Sequence, residues 1–527
     1  MKKVLLNKQP MKTIRLGLII LIASLFVTLT SFGQVRVPFT QRTSTLNGSR
    51  LIYNVKGDFT MIGNTNLYDP TYPLNGTNTV NNIDATDNNT TMAYVDVDGD
   101  PNTLNSSTAE LKLSTENGAD PNCSHIVYAG LYWTGRAHNG NSPNTFSVTK
   151  SVPGSVGTPI NQNYTVSNTG TISGTTYHMD VSRQGNNNNN RYVRYTFSSS
   201  VNPQVLFEFQ NTTPYIRYSM DNGINWTNAS SQNVANNGNI RTVTFSPVTI
   251  YSETGGIVLT VNQLVRDSRN DQSESTYQGS AIASGNVSGT FYAPVSVTKN
   301  FNKQVVSLKG PNQSTYTQFI ANSNDIYYPT SSDGYMYSAY AEVTQYVRDH
   351  GIGNYTVADI ALNEGSGGGT GFYGGWGMIV IYENSKMTWR DVTVFDGHAY
   401  VASNGGPFPL PVSGFNTALT GAIDMKLGVM AGEGDRSLTG DSFSIQPHGT
   451  SSFTALTNGS PSASSDNFFD SSISTLPTGG SRNPNLVNNT GLDLHMFSVP
   501  NTGNVNITNN QTSTTFQYNT SQDTYII

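Results

Sequence analysis

The first residues that could do chemistry lie in an acidic stretch, DVDGDPNT, where Asp96, Asp98, Asp100 and Asn102 alternate. Hard cations collect oxygen ligands at odd positions of such a turn, so the spacing predicts a Ca²⁺ site. Pro101 stands where an EF-hand loop needs glycine, and no acidic residue stands at the twelfth position. An EF-hand is therefore excluded, and two interpretations stay open: a looser Ca²⁺ turn and a plain acidic β-turn.

A second acidic loop, GEGDRSLTGD, carries Glu433, Asp435 and Asp441. Because acidic loops between strands usually face water, we expect a solvated turn here. The alternative is a second cation site, on the same argument from oxygen ligands.

Aromatic residues form the other candidate site. Tyr327, Tyr328, Tyr335 and Tyr337 flank a Ser-Asp-Gly turn, and Phe372, Tyr373 and Trp376 lie in a glycine-rich loop. Sugar rings stack on exposed aromatic faces while Asn and Asp side chains bond their hydroxyls. This pattern predicts a glycan-binding surface, with these contact residues: Tyr335, Tyr337, Phe372, Tyr373 and Trp376. The alternative is that most of these rings fill the ends of a β-sandwich core.

Residues for catalysis are not found at recognisable spacings. The seven histidines show no HExxH pattern, and there is no GxSxG turn. Cys123 and His125 are too close along one segment to act as nucleophile and base. Asp396 and Glu364 are conceivable as a glycosidase pair, but no family motif surrounds them. The sequence therefore favours a non-enzymatic protein, with a polysaccharide hydrolase as the least favoured alternative.

The strongest structural pattern lies at 365–401, where a glycine-rich loop runs into an apolar strand at 378–382. Hydrophobic residues on both faces of this strand predict burial on both sides. Alternation returns at 389–395, which predicts the partner strand of a β-hairpin. Residues 124–133 are likewise apolar on both faces. These segments predict the centre of a β-sandwich.

The tetrapeptide SVTK occurs at 147–150 and again at 296–299. This repeat suggests that the chain leaves one strand and returns to the same kind of strand. We expect an all-β protein whose main domain, a jelly-roll-like β-sandwich, comprises 34–150 plus 295–527. The segment 151–294 is then an inserted small β-sandwich. The alternative is that the two SVTK copies are a coincidence in a Ser- and Thr-rich chain.

The first 33 residues have the form of a signal peptide, with a basic start, an apolar run at 16–29 and Ser31-Phe32-Gly33 before the expected cleavage at Gln34. The apolar run is too short for a transmembrane helix. The single cysteine, Cys123, can form neither an intrachain disulfide nor a lipidated N-terminus, so we expect a buried free thiol. The apolar end at Ile526-Ile527 suggests the front part of a longer polypeptide.

Composition supports the same class of protein. Only 12% of the 527 residues are charged and 36% are hydrophobic, which is typical of a secreted all-β protein with polar turns. The net charge of −6 argues against binding to nucleic acid, because phosphate recognition needs clustered Lys and Arg.

Several motifs occur in a characteristic order: CSHIVYAGLYWTGRA, VSLKGP, YAEVTQYV, YTVADIAL, GGGTGFYGGWGMIVIYEN, WRDVTVFDGHAYV and LGVMAGEGD. Together they resemble the N-terminal region of the very large cell-surface adhesins of gliding bacteria that use type IX secretion, the SprB-like group. The core is also similar to a β-domain near the start of many bacterial repeat adhesins. The resemblance covers most of 34–527 except the insertion.

The resemblance implies a role in cell adhesion and gliding motility. Export would use the Sec signal and then the type IX machinery, and the chain would be held at the outer surface of the outer membrane. Its partners would be the secretion and gliding machinery and a surface polysaccharide or substratum, with no nucleic acid and no membrane span after signal cleavage. Ca²⁺ is the only cofactor expected. The alternative is a structural capping or docking domain with no ligand of its own.

Overall fold

The structure is a computed structural model of the chain. It describes residues 34–71, 87–98, 100, 102–137, 144–152, 159–165, 168–172, 175–184, 192–199, 204–238, 240–253, 257–267, 286–292, 295–402, 406–460, 464–475 and 479–527. The predicted signal peptide, 1–33, lies outside these ranges. Within them, no helix is both long enough and apolar enough to cross a membrane.

The described residues form two compact units. Unit 1 is built from the residues up to Ser147 and from Asn300 onwards, and unit 2 is Val148–Lys299. The segment that the sequence suggests as an insertion, 151–294, falls inside unit 2. Strands account for 51% of the structure and helices for only 6%, which confirms the all-β prediction.

In the first part of unit 1, the described residues form seven strands. They are β1 (Gln34–Gln41), β2 (Tyr53–Thr65), β3 (Leu67–Tyr68), β4 (Thr91–Tyr94), β5 (Ser106–Leu111), β6 (His125–Arg136) and β7 (Thr145–Val152), the last of which continues into unit 2. Short 3-10 turns at Glu116–Gly118 and Pro121–Cys123 precede β6. Cys123 is exposed in the second turn, so the expectation of a buried thiol is wrong. The turn ends before β6 enters the core, and this leaves the thiol outside.

The described residues of unit 2 form eleven more strands. They are β8 (Pro159–Thr165), β9 (Asn168–Ile172), β10 (Thr175–Gln184), β11 (Tyr192–Ser199), β12 (Val205–Phe209), β13 (Ile216–Ser219), β14 (Thr227–Asn228), β15 (Asn233–Asn237), β16 (Ile240–Glu253), β17 (Ile257–Asp267) and β18 (Asn286–Tyr292). One sheet has the order β14-β13-β12-β11-β10-β9, and a second sheet is β15-β16-β17. Phe207, Phe209, Val243 and Leu264 belong to the hydrophobic core that joins these two sheets.

The chain returns to unit 1 through β19 (Val295–Asn302), which lies beside β7 in a two-stranded sheet. The two SVTK segments lie in these paired strands. The Ser147 side chain bonds Asn300 at 2.6 Å, and Thr149 bonds Thr298 at 2.8 Å. The two tetrapeptides therefore sit where the chain leaves unit 1 and where it re-enters it.

Where the rest of unit 1 is described, it contains one α-helix, α1 (Thr344–His350), with 3-10 turns at Ser331–Asp333, Gly368–Thr370 and Thr502–Asn504. Its strands are β20 (Val305–Lys309), β21 (Thr317–Ile320), β22 (Ile326–Tyr327), β23 (Met336–Glu342), β24 (Gly353–Ala358), β25 (Gly365–Ser366), β26 (Gly374–Glu383), β27 (Trp389–Val392), β28 (Phe395–Ala402), β29 (Phe408–Ser413), β30 (Met425–Gly432), β31 (Ser442–Ile445), β32 (Thr454–Ala455), β33 (Ile473–Thr475), β34 (Arg482–Asn483), β35 (Leu492–Val499), β36 (Ser513–Asn519) and β37 (Thr524–Ile526).

Four larger sheets organise unit 1. Sheet I has the strand order β21-β20-β24-β5-β34, sheet II β22-β23-β6-β26-β2-β27, sheet III β1-β28-β37-β30-β35-β33, and sheet IV β29-β36-β31-β32. The strands β25, β4 and β3 form a small additional sheet.

The four sheets pack face to face in the order I, II, III, IV. Trp376 on β26 donates from Nε1 to Ser107 Oγ on β5 at 2.9 Å, which joins sheet II to sheet I. On the opposite face of sheet II, Met61 packs with Leu494 and Met496 of β35 in sheet III. A larger core between sheets III and IV contains Phe443, Phe468, Phe469, Phe497, Phe516, Tyr518 and Tyr525. The central strands of sheets II and III, β26 and β35, are therefore covered on both faces.

Strand β26 contains the apolar segment 378–382 and lies between β6 and β2. The predicted hairpin between 378–382 and 389–395 is wrong, because both edges of β26 are already paired. Strand β27 pairs instead with the first part of β2, with Trp389 opposite Lys56 and Asp391 opposite Asn54. This makes β27 the edge strand of sheet II.

Candidate functional site

The predicted Ca²⁺ turn is held together by hydrogen bonds to its own carboxylates. Asp98 Oδ1 accepts from the Asp100 backbone N–H at 2.9 Å, and Asp100 Oδ1 accepts from the Asn102 N–H at 2.9 Å. The second oxygen of Asp98 accepts from the Tyr316 hydroxyl, and Asp96 accepts from Ser106 Oγ at 3.2 Å. Within the described residues, the groups that bring three ligand atoms within 4.8 Å of one another lie elsewhere. The Ca²⁺ turn stays a prediction.

Three of the five predicted glycan-contact residues are core residues. Tyr337, Tyr373 and Trp376 are fully buried. The Tyr337 hydroxyl donates to Ala361 O, and Tyr373 shares a hydrogen bond with Thr134. Their ring faces are packed between sheets, so the prediction that they stack on a sugar is wrong for these three. The alternative interpretation, that they fill the sandwich core, describes them.

The other two predicted contact residues are half-buried. Phe372 lies under the guanidinium of Arg136, whose carbon is 5.4 Å from the ring centroid. Tyr335 has a positive φ of 65°, and its backbone N–H donates to Thr330 O. Nearby Tyr327 stacks on His398 with centroids 4.2 Å apart. Tyr335 and Phe372 therefore stay candidates for ligand contact.

The two carboxylates considered as a glycosidase pair have separate structural partners. Asp396 accepts from Arg42 Nε at 2.6 Å and from the Tyr132 hydroxyl at 3.1 Å. Glu364 accepts from the Tyr94 backbone N–H at 2.8 Å. Burial raises the pKa of Asp396, and its bonds to Arg42 oppose this rise. Both carboxylates thus have evident roles in holding neighbouring segments.

An exposed aromatic site lies at the edge of sheet II, on the outer surface of β2 and β27. We call it the Trp389 face and define it by Asn54, Lys56, Trp389 and Asp391. The Trp389 side chain is 61% exposed, and the other three residues are exposed as well. Asn54 Nδ2 donates to Asp391 Oδ1, and Lys56 Nζ lies 5.8 Å from the Trp389 ring centroid. The face therefore places an indole beside an amide, a carboxylate and an ammonium group.

The sequence contains a signal for this face that the initial choice of aromatic residues missed. Side chains in a strand alternate between its two faces, so Trp389 shares a face with Asp391. The buried Val392 lies on the opposite face. Period-two alternation alone therefore indicates that Trp389 points to solvent. In contrast, Trp376 lies in β26, which is buried on both faces.

The second acidic loop is buried, and the expectation of a solvated turn is wrong. Glu433 is 2% exposed, Asp435 4% and Asp441 0%. The loop connects β30 of sheet III to β31 of sheet IV, so it must cross the end of the core between these sheets. Asp523, just before β37, and Asp493 on β35 are buried with it. We call these five side chains the acidic cluster: Glu433, Asp435, Asp441, Asp493 and Asp523.

The geometry of the acidic cluster brings carboxylate oxygens together. Ligand oxygens of Glu433, Asp435 and Asp523 all lie within 4.8 Å of one another. The Asp435 backbone N–H donates to Asp523 Oδ2 at 3.1 Å. Asn88 donates from its backbone N–H to Asp435 Oδ1 at 3.3 Å and from Nδ2 to Glu433 Oε1 at 3.1 Å. Such a set of oxygens has the donor chemistry of a hard-cation site.

Burial and mutual repulsion raise the pKa values throughout the cluster. Desolvation, followed by the charge of Asp523, raises the pKa of Asp435 to about 8 and that of Asp441 to about 9. Desolvation is also the largest cause for Glu433 and Asp493, whose pKa values lie well above the ordinary range. The pKa of Asp523 rises to about 6. Carboxylates so placed repel one another unless a positive charge joins them.

A second group of ligand atoms lies beside the first and shares Asp493. It consists of Asp470, Asp493 and His495, again within 4.8 Å of one another. His495 uses both ring nitrogens, with Nε2 3.1 Å from Asp493 Oδ1 and Nδ1 3.0 Å from Ser474 Oγ. Burial lowers the pKa of His495 to about 4, so the ring is neutral near pH 7. Asp470 lies 4.0 Å from Arg436.

No family model, curated protein or solved structure matches this chain.

Proposed function

We propose that the chain is a non-enzymatic, secreted adhesin module that binds a surface polysaccharide through the Trp389 face. The observation that carries this proposal is the 61% exposure of Trp389 beside Asn54, Lys56 and Asp391. Trp contributes strongly to binding wherever it is buried by a partner.

The chemistry of the Trp389 face suits a sugar. The apolar C–H face of a pyranose ring packs on an indole, while its hydroxyls bond amide and carboxylate groups. Asn54 and Asp391 provide those groups two cross-strand pairs away from Lys56 and Trp389, on the same face of the sheet. The ammonium of Lys56 also suits an acidic sugar. We therefore propose a polysaccharide that contains carboxylate or sulfate groups.

The remaining parts of the proposal rest on the sequence. The signal peptide suggests export, and the ordered motifs that resemble SprB-like adhesins suggest type IX secretion and a place at the outer cell surface. Most of those motifs lie in strands of sheets I, II and III. One weak site on each molecule would act by avidity when many copies face one surface.

A glycan array tests the proposal on recombinant Gln34–Ile527. We expect binding to acidic glycans, and we expect Trp389→Ala to weaken it by about tenfold or more, the usual effect of removing a central Trp from an interface. Leu419→Ala is the matched control, because Leu419 is another exposed apolar residue of unit 1 at 75% exposure. Equal binding by wild type and Trp389→Ala would reject this face as the binding site.

A further inference from the structure

We propose that the acidic cluster is a Ca²⁺ site at one end of the core between sheets III and IV. This proposal is independent of polysaccharide binding. The cluster is remote in sequence from the acidic turn at 96–102 that spacing alone suggests. Its five carboxylates come from two connections, β30–β31 and β36–β37, and from strand β35, and the fold brings them together.

Unpartnered buried oxygens are the first observation that points to an ion. Neither carboxylate oxygen of Asp441 has a hydrogen-bond partner, and Asp493 Oδ2 has none. The amide oxygens of Asn88 and Asn467 are also unpartnered. All four side chains are at least nine-tenths buried. A buried oxygen without a donor costs about 1–3 kcal/mol, and a charged one costs more, so such a concentration needs an explanation.

These oxygens surround the three carboxylates that already approach one another. Asp493 Oδ2 is aimed at the loop, because a Cβ on Gly434, between Glu433 and Asp435, would lie only 2.3 Å from it. Asn88 donates to both Glu433 and Asp435. Asn467 donates from Nδ2 to Arg436 O at 3.0 Å and forms a backbone bridge with Asp441. The free oxygens therefore belong to one site.

The charge balance also favours a cation. Five carboxylates are removed from water here, and a buried carboxylate is tolerated only when it is paired, coordinates a metal or is neutralised. The nearby basic groups are Arg436, close to Asp470, and Arg136, whose charge is attracted to Glu433. The two positive charges of these arginines are fewer than the five carboxylates, whereas a divalent ion would bridge several carboxylates at once.

The donor set selects Ca²⁺ over other metals. All unpartnered ligands are oxygens, and the carboxylates and the two amides offer enough for the six to eight that Ca²⁺ takes. Mg²⁺ needs near-ideal octahedral geometry and usually keeps several waters, which fits a site built from irregular loops poorly. A softer metal would use nitrogen or sulfur, and both ring nitrogens of His495 are already engaged.

The experiment is a Ca²⁺ titration of chelator-treated Gln34–Ile527, followed by calorimetry and thermal unfolding, with Mg²⁺ titrated in parallel. We expect Ca²⁺ to bind with a Kd of about 10⁻⁶ to 10⁻⁴ M. We also expect the Tm to rise by at least about 3 °C at saturating Ca²⁺ and by much less with Mg²⁺. The absence of both a heat of binding and a Tm shift at millimolar Ca²⁺ would overturn the proposal.

Two variants locate the site. Asp441→Asn and Asp523→Asn should each weaken Ca²⁺ binding by about tenfold or more, as expected when a charged ligand is lost. Without Ca²⁺ their Tm should equal or exceed that of wild type, because a buried charge has been removed. If Asp441 and Asp523 had only a structural role, each substitution would instead lower the Tm both with and without Ca²⁺.

Asp100→Asn is the matched control in the acidic turn and should keep full Ca²⁺ binding. If Asp100→Asn loses binding while Asp441→Asn keeps it, the ion lies in the turn and the proposal is wrong. If Asp441→Asn fails to fold, Glu433→Gln replaces it, and the wild-type titration still decides whether Ca²⁺ binds.

Discussion

At the scale of the residue, two tryptophans of sheet II show how position decides role. Trp376 and Trp389 both follow the glycine-rich loop and both lie in strands. Trp376 is fully buried and donates to Ser107, whereas Trp389 is mostly exposed beside Lys56. Residue type alone does not separate them. The place of each strand in the sheet does, because β26 is buried on both faces whereas the edge strand β27 has one exposed face, on which alternation places Trp389.

His398 provides a residue-scale prediction about pH. It is buried, its Nδ1 lies 2.6 Å from Ser338 Oγ, and Tyr327 stacks on its ring. Burial lowers its pKa from 6.5 to about 4, with Arg36 acting in the same direction and Asp333 opposing it. The folded protein therefore holds this ring neutral, while the unfolded chain protonates it below pH 6.5.

The sign of the effect follows from that difference. The unfolded state binds the extra proton between pH 6.5 and 4, so the stability that neutral His398 contributes is present above pH 6.5 and lost as the pH falls. We expect a loss of up to about 3 kcal/mol in the free energy of unfolding. Denaturant unfolding of wild type and His398→Gln at pH 7.5 and 4.5 measures this loss of stability.

The His398→Gln variant should lose less stability than wild type between pH 7.5 and 4.5. His448→Gln is the control, because His448 is exposed. If His398→Gln and wild type lose equal stability between pH 7.5 and 4.5, the buried ring does not carry this effect.

At the scale of the element, β26 is the strand around which sheet II forms. The continuous apolar run at 378–382 predicts a strand buried on both faces, and β26 has that burial. Its neighbours could not be predicted from local pattern. The segment at 389–395 looks like a hairpin partner, but β6 and β2 occupy both edges of β26. Strand pairing over hundreds of residues depends on global packing, which local alternation does not encode.

The core role of Trp376 leads to an element-scale prediction. Trp376→Ala removes the ring that packs β26 on sheet I and leaves Ser107 without its donor, so we expect a loss of about 3–5 kcal/mol in stability. Trp389→Ala should change stability by less than about 1 kcal/mol, since its ring is mostly in water. Chemical denaturation of wild type and the two variants compares their free energies of unfolding. Equal stability of Trp376→Ala and wild type would contradict the four-sheet packing.

At the scale of the whole molecule, the acidic cluster shows what the sequence alone cannot provide. The loop with Glu433, Asp435 and Asp441 stands out as acidic, yet nothing local indicates that it is buried. Asp493 is one polar residue in an apolar strand, and Asp523 lies 82 residues beyond Asp441, the last residue of the loop. The approach of these groups depends on how sheets III and IV pack. The all-β class, by contrast, follows from composition and alternation alone.

The most direct test of the adhesin proposal is retention under flow. Beads coated with wild-type Gln34–Ile527 are allowed to settle on an acidic polysaccharide surface and are then exposed to increasing shear, in parallel with beads that carry Trp389→Ala or Leu419→Ala. We predict that wild-type and Leu419→Ala beads stay attached while Trp389→Ala beads detach at low shear. Detachment of all three at the same low shear, or equal retention of all three, would contradict a role for the Trp389 face in adhesion.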